Sequence, residues 1–388
     1  MSLTAVVGGL LPALDAAFPT DLARVLGTFL HEHADARWVG IYLADYDQLR
    51  LRLLPDEHPS ARPDSFPVDG SEPGRAFRAQ APTLQQTSEG TLIHLPVSVR
   101  AERLGVLSVC LPAVPAGDLL DGLHRASTAV AYVLMTAANY TDIIERGRRD
   151  RPLELPAEIQ WTQLPVQAYT CPEFAIAGQL VPAYQVGGDL FDYAVDHEDL
   201  TITATDAMGH GLNASVLGAL AVAALRNARR TGYDLGDQIR TADNVLHGRY
   251  GGDQFVTALS MSVCLTTGHA KVVNAGHPAP FLLRGDHVSA IEIPAQLPMG
   301  MFEATPYEEH ELTLETGDRL LIVSDGVLEA RSAENGEEYG QQRLEGALLA
   351  TRTSSPAETV RQMVRLLQTY QDGEPRDDAT ILCLDWTA

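Results

Sequence analysis

Two aspartate-bearing turns joined by one alternating segment constrain this chain more than any other feature in it. Between Val186 and Gly211 the sequence runs Gly187-Gly188-Asp189-Leu190-Phe191-Asp192 and later Asp206-Ala207-Met208-Gly209-His210-Gly211. In between, Leu200, Ile202 and Ala204 alternate with Thr201, Thr203 and Thr205, the period of a half-buried strand. Such a strand delivers Asp206 to its own end. Gly209 and Gly211 allow a tight backbone after it, and an apolar helix is predicted from about Asn213 to Arg229, stopped near Gly232. Two further acidic turns lie downstream: Ser324-Asp325-Gly326 follows the apolar run Leu320 to Val323, and Arg376-Asp377-Asp378-Ala379-Thr380 precedes the run Ile381 to Leu384. Acidic turns that each abut a strand are the layout of a hard-cation site built from oxygen ligands.

The 388 residues are enough for two domains with full cores. A formal net charge of −23 argues against a nucleic-acid partner, because binding a phosphate backbone needs a basic face. Most of the acidic excess is expected to be solvated surface. The four cysteines, Cys110, Cys171, Cys264 and Cys383, form no CxxC pair, and three sit in strand-like apolar runs, so they are expected as reduced core residues. No charged and apolar leader opens the chain, and the uncharged run Ala214 to Leu225 is too short to cross a bilayer. No membrane association and a cytoplasmic location are the expectations.

Residues 1–35 show two helical patterns, with Leu10, Leu11, Leu14 and Phe18 in the first and Leu22, Val25, Leu26 and Phe29 in the second, where Pro19 and Asp21 mark the start. A hairpin follows, Trp38 to Leu43 and Leu49 to Leu54 around Asp45-Tyr46-Asp47. After a proline-rich connection come a short helical piece at Gly74-Arg75-Ala76-Phe77 and two strands, Leu92 to Val97 and Leu104 to Cys110. This order resembles a GAF domain over roughly residues 8–115, which implies a sensory domain at 1–116 with a small-molecule ligand, or a ligand-free dimerisation scaffold. Residues 117–165 are predicted as a helical connector. Leu119, Leu120, Leu123, Ala126, Val130, Val133, Leu134, Ala137 and Tyr140 make a seam at roughly heptad spacing, suited either to a parallel homodimer or to packing on the neighbouring domain. Pro152 and Pro156 break the backbone before a short helix from Ala157 that ends at Pro165.

From Phe174 onward the pattern is strand-rich, with an antiparallel meander through Phe255 to Leu265, Lys271 to Asn274 and Phe281 to Leu283, and helices near 213–230, 234–248 and 356–371. A lone Asp-Gly pair is usually structural. The ordered set Gly187-Gly188-Asp189-x-x-Asp192, Asp206-x-x-Gly209-His210-Gly211, Asn274-Ala275-Gly276-His277-Pro278, Ser324-Asp325-Gly326-Val327-x-Glu329-Ala330 and Arg376-Asp377-Asp378-x-Thr380 closely resembles the bacterial SpoIIE-type serine/threonine phosphatases of the type 2C (PPM) superfamily, over about 155–388.

That resemblance implies an α+β chain whose C-terminal domain, at 166–388, is an α-β-β-α sandwich holding two Mn²⁺ or Mg²⁺ ions at one edge. Asp206 would bridge both ions. The carbonyl of Ala207 and the carboxylate of Asp189 would help hold one, and Asp325 and Asp377 the other, with Asp378 the less favoured of the adjacent pair. Asp189, Asp206, Asp325 and Asp377 are thus the candidate catalytic residues, acting by a metal-activated water that attacks phosphorus in line. His210 and His277 sit in Gly- or Pro-flanked turns, where packing is the default role, and Asn274 with His277 would fix the turn beside the site. Relatives of this type act on phosphorylated STAS proteins, the antagonists of anti-sigma factors, so such a protein is the implied partner. The alternative functions are a non-catalytic scaffold using the same sandwich, or a GAF ligand-sensing module.

Overall fold

The computed structural model describes residues 3–54, 63–182, 184, 187–373 and 377–388. Val186 and Arg376, which entered the sequence reading, and Pro55 and Pro59 of the proline-rich connection lie outside them. The chain divides into two units, Met1–Pro152 and Leu153–Ala388.

In the first unit, α1 (Leu3–Asp15) and α2 (Leu22–Ala34) precede β1 (Trp38–Ala44), β2 (Arg50–Leu53) and β3 (Ser65–Pro67). Next come α3 (Glu72–Ala79), β4 (Thr83–Thr87), β5 (Gly90–Val99) and β6 (Glu102–Leu111), then α4 (Gly117–Ala137) and α5 (Ile143–Arg148). The strands form one antiparallel sheet in the order β3-β2-β1-β6-β5-β4. Its alternation is read directly from the sequence: Val39, Ile41 and Leu43 face one core, which Leu10, Leu14, Leu26 and Leu30 of the helices complete, while Tyr42 and Ala44 face a second core with Phe77 of α3.

Helix α4 departs from the expected connector. Leu123, Ala126, Val130, Val133, Leu134 and Ala137 are buried in the first core against α1 and β5, and only Tyr140 of the seam is well exposed. The apolar stripe packs within the chain, the second of the two arrangements that suit such a seam, so 117–152 belongs to the first unit.

The second unit opens with α6 (Leu155–Gln163), β7 (Ala168–Thr170), β8 (Phe174–Val181), β9 (Leu190–Val195) and β10 (Asp199–Ala207). Helices α7 (Leu212–Arg230) and α8 (Leu235–Tyr250) follow, then β11 (Val256–Cys264), β12 (His269–Ala275), β13 (Phe281–Arg284), β14 (His287–Ala290) and β15 (His310–Thr313). The chain ends with β16 (Arg319–Val323), α9 (Asp325–Leu328), α10 (Gly340–Ala350), α11 (Pro356–Tyr370) and β17 (Ala379–Trp386). Two antiparallel sheets result, ordered β15-β12-β11-β10-β9 and β14-β13-β16-β17-β8-β7. They share one core: Leu200, Ile202 and Ala204 from the first pack with Ile176, Leu180, Leu320, Ile322, Leu382 and Trp386 from the second. Helices α7 and α8 cover the outer face of the first sheet through Leu217, Ala221, Ile239 and Leu246, and α11 lies on β8 and β17. The layers are therefore α-β-β-α, as expected. Cys110 and Cys383 are buried, Cys171 and Cys264 partly so, and all four are free.

Candidate metal centre

The antiparallel registers carry the acidic turns to one edge of the sandwich. Thr205 of β10 pairs with Leu190 of β9, so Asp206 leaves one strand beside the point where Asp189 enters the other. In the second sheet Val323 pairs with Ile381, which sets Ser324 and Asp325 next to Asp378 and Thr380. A reciprocal clip closes that corner: Ser324 N–H donates to the Thr380 carbonyl (3.1 Å) and Thr380 N–H to Ser324 Oγ (2.9 Å). One bond then joins the sheets at the edge, from Asp189 N–H to Asp378 Oδ2 at 2.8 Å.

The glycines before Asp189 make this approach possible. A Cβ on Gly187 would stand 2.2 Å from Asp378 Oδ1, and one on Gly188 would stand 2.3 Å from the Ala207 carbonyl oxygen. A side chain fits at neither position without displacing the Asp378 carboxylate or the Ala207 backbone, which is the physical content of the Gly-Gly-Asp motif.

The carboxylates are graded in depth. Asp189 and Asp378 are buried, Asp206 is half-buried, and Asp325 and Asp377 are the most exposed, Asp325 with its carboxyl still partly enclosed. Burial raises Asp189 well above the ordinary carboxylate value, the charges of Asp378 and Asp206 add to it, and the hydroxyls of Ser324 and Thr380 oppose it. Asp206 is pushed up to about 7, by burial first and then by Asp325, Asp378 and Asp377. Burial, followed by Asp377, raises Asp325, and burial raises Asp378 against the hydrogen bond from Asp189 N–H. Like charges held this close call for a cation.

The donor set fits divalent ions. Every side chain offered is a carboxylate, which suits Mg²⁺ and Mn²⁺. Asp189 Oδ2 is buried with no hydrogen-bond partner among the described residues, a costly state for a carboxylate oxygen unless something positive meets it. Among the described residues, no three His, Cys, Asp or Glu side chains close around a single point.

The five aspartates singled out as candidate ligands, Asp189, Asp206, Asp325, Asp377 and Asp378, thus gather at one edge, and Ala207 lies against the Gly188 backbone. Within the adjacent pair the structure places Asp378 inside, against Asp189, and Asp377 outside. Asp192, the second acid of the first motif, turns away from the edge and pairs with Arg226 (2.7 Å) and Arg229 (2.9 Å) of α7, so its role is to pin that helix. Asn274 Oδ1 accepts from His277 N–H at 2.8 Å. His277 is buried, which lowers its pKa to about 4, so its ring is neutral near pH 7. His210 is exposed. The sequence reading missed Gln160 of α6, whose Nε2 donates to the Asp189 carbonyl at 2.6 Å; a lone Gln in a short helix gives no such signal.

A two-sheet sandwich with acidic turns from both sheets at one edge defines a phosphatase domain of the PP2C (PPM) class. Residues 196–387 match the family Stage II sporulation protein E (SpoIIE), and the chain carries a phosphatase domain of that family. Phosphoserine phosphatase RsbU of Bacillus subtilis (strain 168) is 26% identical over 235 residues, covering 60% of this chain and 69% of the relative. Stage II sporulation protein E of the same organism is 25% identical over 180 residues, 46% of this chain and only 21% of that much longer protein. Among solved structures, the SiaA-PP2C domain of Pseudomonas aeruginosa aligns with a TM-score of 0.52 at 22% identity, covering 59% of this chain and 94% of that one, which bears out the fold. The family match lies within the second unit. No helix among the described residues is long and apolar enough to cross a membrane.

Proposed function

We propose that this protein is a divalent-metal-dependent phosphatase that hydrolyses phosphoserine or phosphothreonine on a regulatory protein. The reading is carried by the convergence of Asp189, Asp206, Asp325, Asp377 and Asp378 at one sandwich edge, graded from buried to exposed. Asp189, Asp206, Asp325 and Asp377, with the Ala207 carbonyl, would hold two Mn²⁺ or Mg²⁺ ions, and Asp378 fixes the Asp189 backbone from behind. Bound there, the ions would supply a water of lowered pKa and screen the phosphoester's charge. The protein's own contribution is to hold the inner carboxylates rigidly and leave the outer ones open to a bulky substrate. With His277 buried and neutral, it serves to hold the Asn274 turn and not as an acid.

The substrate we favour is a phosphorylated STAS-type antagonist of an anti-sigma factor, supported by the likeness to an RsbU phosphatase. Activity on p-nitrophenyl phosphate and on a phosphoserine STAS protein should require Mn²⁺ or Mg²⁺ and disappear with chelator. Turnover undiminished in excess EDTA would overturn the reading; activity on the small ester alone would confine the error to the substrate.

For the first unit we propose a GAF-like sensory role. On the α3 face of its sheet, His94 is buried with Nδ1 2.8 Å from Ser108 Oγ and Nε2 without a partner among the described residues, and Phe66 stands edge-on to it. Burial lowers the His94 pKa to about 4, so it offers a neutral ring to a small polar ligand. A thermal-shift screen of wild type against His94→Phe tests this, since a ligand that stabilises both equally does not use the site.

A further inference from the structure

Helix α6 precedes the matched segment 196–387 and reads as a plain connector, yet its two buried residues are Ala157 and Gln160. Gln160 is fully buried. Its Nε2 donates to the Asp189 carbonyl at 2.6 Å, and its Oε1 has no partner among the described residues. Burying a primary amide with half of its capacity unused is costly, so a residue that merely filled space would be better as Leu or Met. What the amide does hold is the backbone of the deepest carboxylate. Asp189 is gripped on both sides, its N–H by Asp378 Oδ2 at 2.8 Å and its carbonyl by Gln160. Neither side of the turn can shift alone.

The helix is itself anchored. Arg226 of α7 donates to the Gln163 carbonyl at the end of α6 and to Asp192 Oδ1, and Arg229 donates to Asp192 Oδ2. One arginine therefore fastens α6 to α7 and to β9, the strand that begins directly after Asp189. A displacement of α6 would reach the Asp189 turn through Gln160 on one side and through β9 on the other.

We propose that Gln160 is a positioning residue for the metal centre, through which α6 sets the place of Asp189 and so the affinity for divalent cation. The inference rests on the metal-dependent reading above. The experiment uses the full chain, with Mn²⁺ binding followed directly by electron paramagnetic resonance of the free ion, alongside far-UV circular dichroism and the melting temperature in EDTA. Gln160→Leu removes the donor and keeps the volume; Gln160→Glu keeps the shape but sets a carboxylate against the Asp189 carbonyl. Loss of one such hydrogen bond should weaken Mn²⁺ binding about fivefold to thirtyfold in the Leu variant and further in the Glu variant. The metal-free Leu variant should melt within a few degrees of wild type.

The ratio of the two affinities decides the matter. Wild-type affinity in a folded Leu variant overturns the proposal, even if the melting temperature falls, because that is the behaviour of a packing residue. Should the Leu variant misfold, the Glu variant carries the same test, and equal affinity there also overturns it. A wild type that binds no Mn²⁺ would overturn the metal reading itself, and this proposal with it.

Discussion

Asp206 shows how the individual side chains set the chemistry. Burial and three neighbouring carboxylates hold its pKa near 7, above the 3.8 it has when exposed. The folded, metal-free protein therefore binds more protons than the unfolded chain between those values, and the contribution of Asp206 to stability falls as pH rises through that window. The buried rings of His94 and His277, with pKa values lowered to about 4, act in the opposite sense, so the informative quantity is a difference. Asp206→Asn should be more stable than wild type in EDTA, and the gap in melting temperature should widen from pH 4 to pH 7. With Mn²⁺ present the same variant, like Asp325→Asn, should lose activity on the order of 100-fold or more. Full activity in both would reject the ligand assignment. Gly188→Ala tests the close approach, since a Cβ 2.3 Å from the Ala207 carbonyl must part β9 from β10; calorimetry should show weakened Mn²⁺ binding together with a lower melting temperature. The identity of these acids was legible in the sequence because turns and adjoining strands announce themselves locally. Their depth was not. Asp377 and Asp378 are neighbours at the start of a strand, where successive side chains face opposite ways, and a pair of identical residues does not reveal which one turns inward. Gln160 was hidden for a related reason, since polar residues in short helices usually face water.

Strands and helices were recovered well where their periodicity was long. The apolar face expected near 213–229 became α7, the one near 234–248 became α8, and 356–371 became α11. The strand expected to deliver Asp206 is β10. Sheet order was not recoverable, because β8 pairs with β17 at the other end of the unit and no local pattern records which distant strand will be a neighbour. Arg319 illustrates how such long-range pairing is fixed. Almost fully buried at the start of β16, it pairs with both oxygens of Asp385 (2.6 and 2.8 Å) on β17. It also donates to the Thr351 and Ser354 carbonyls and to Thr359 Oγ1 of α11. One guanidinium thus ties a strand pair to the helix that covers it. Arg319→Met would remove the buried partner of Asp385 and the guanidinium bonds to the Thr351 and Ser354 carbonyls, for a loss of about 3–5 kcal/mol in urea unfolding. Arg319 begins β16 and Asp325 lies beyond its far end, so Mn²⁺ affinity of the folded variant should not change. A variant as stable as wild type would show that the hub is dispensable.

The division at Pro152 and Leu153 places every acidic residue of the centre in one unit, and the helix once expected to link two chains in the other. Heptad-like spacing in α4 was legible, but the same stripe serves a coiled coil or a domain core, and only tertiary packing chooses between them. Here Val130 and Leu134 are buried with Leu10, Leu14 and Ile93 of their own unit. Removing the Leu134 side chain beyond Cβ should therefore open a cavity within one chain and cost about 2–5 kcal/mol, with Val130→Ala costing less. If that packing is internal, the drop in the first-unit melting temperature for Leu134→Ala is the same across about a hundredfold range of protein concentration. Were the seam a dimer interface, mass action would make the wild-type melting temperature rise with concentration, and the substitution would shift the monomer–dimer equilibrium as well. Scanning calorimetry at several concentrations, with mass measured by light scattering, separates the two. A concentration-dependent transition that Leu134→Ala abolishes would restore the helix to an intermolecular role.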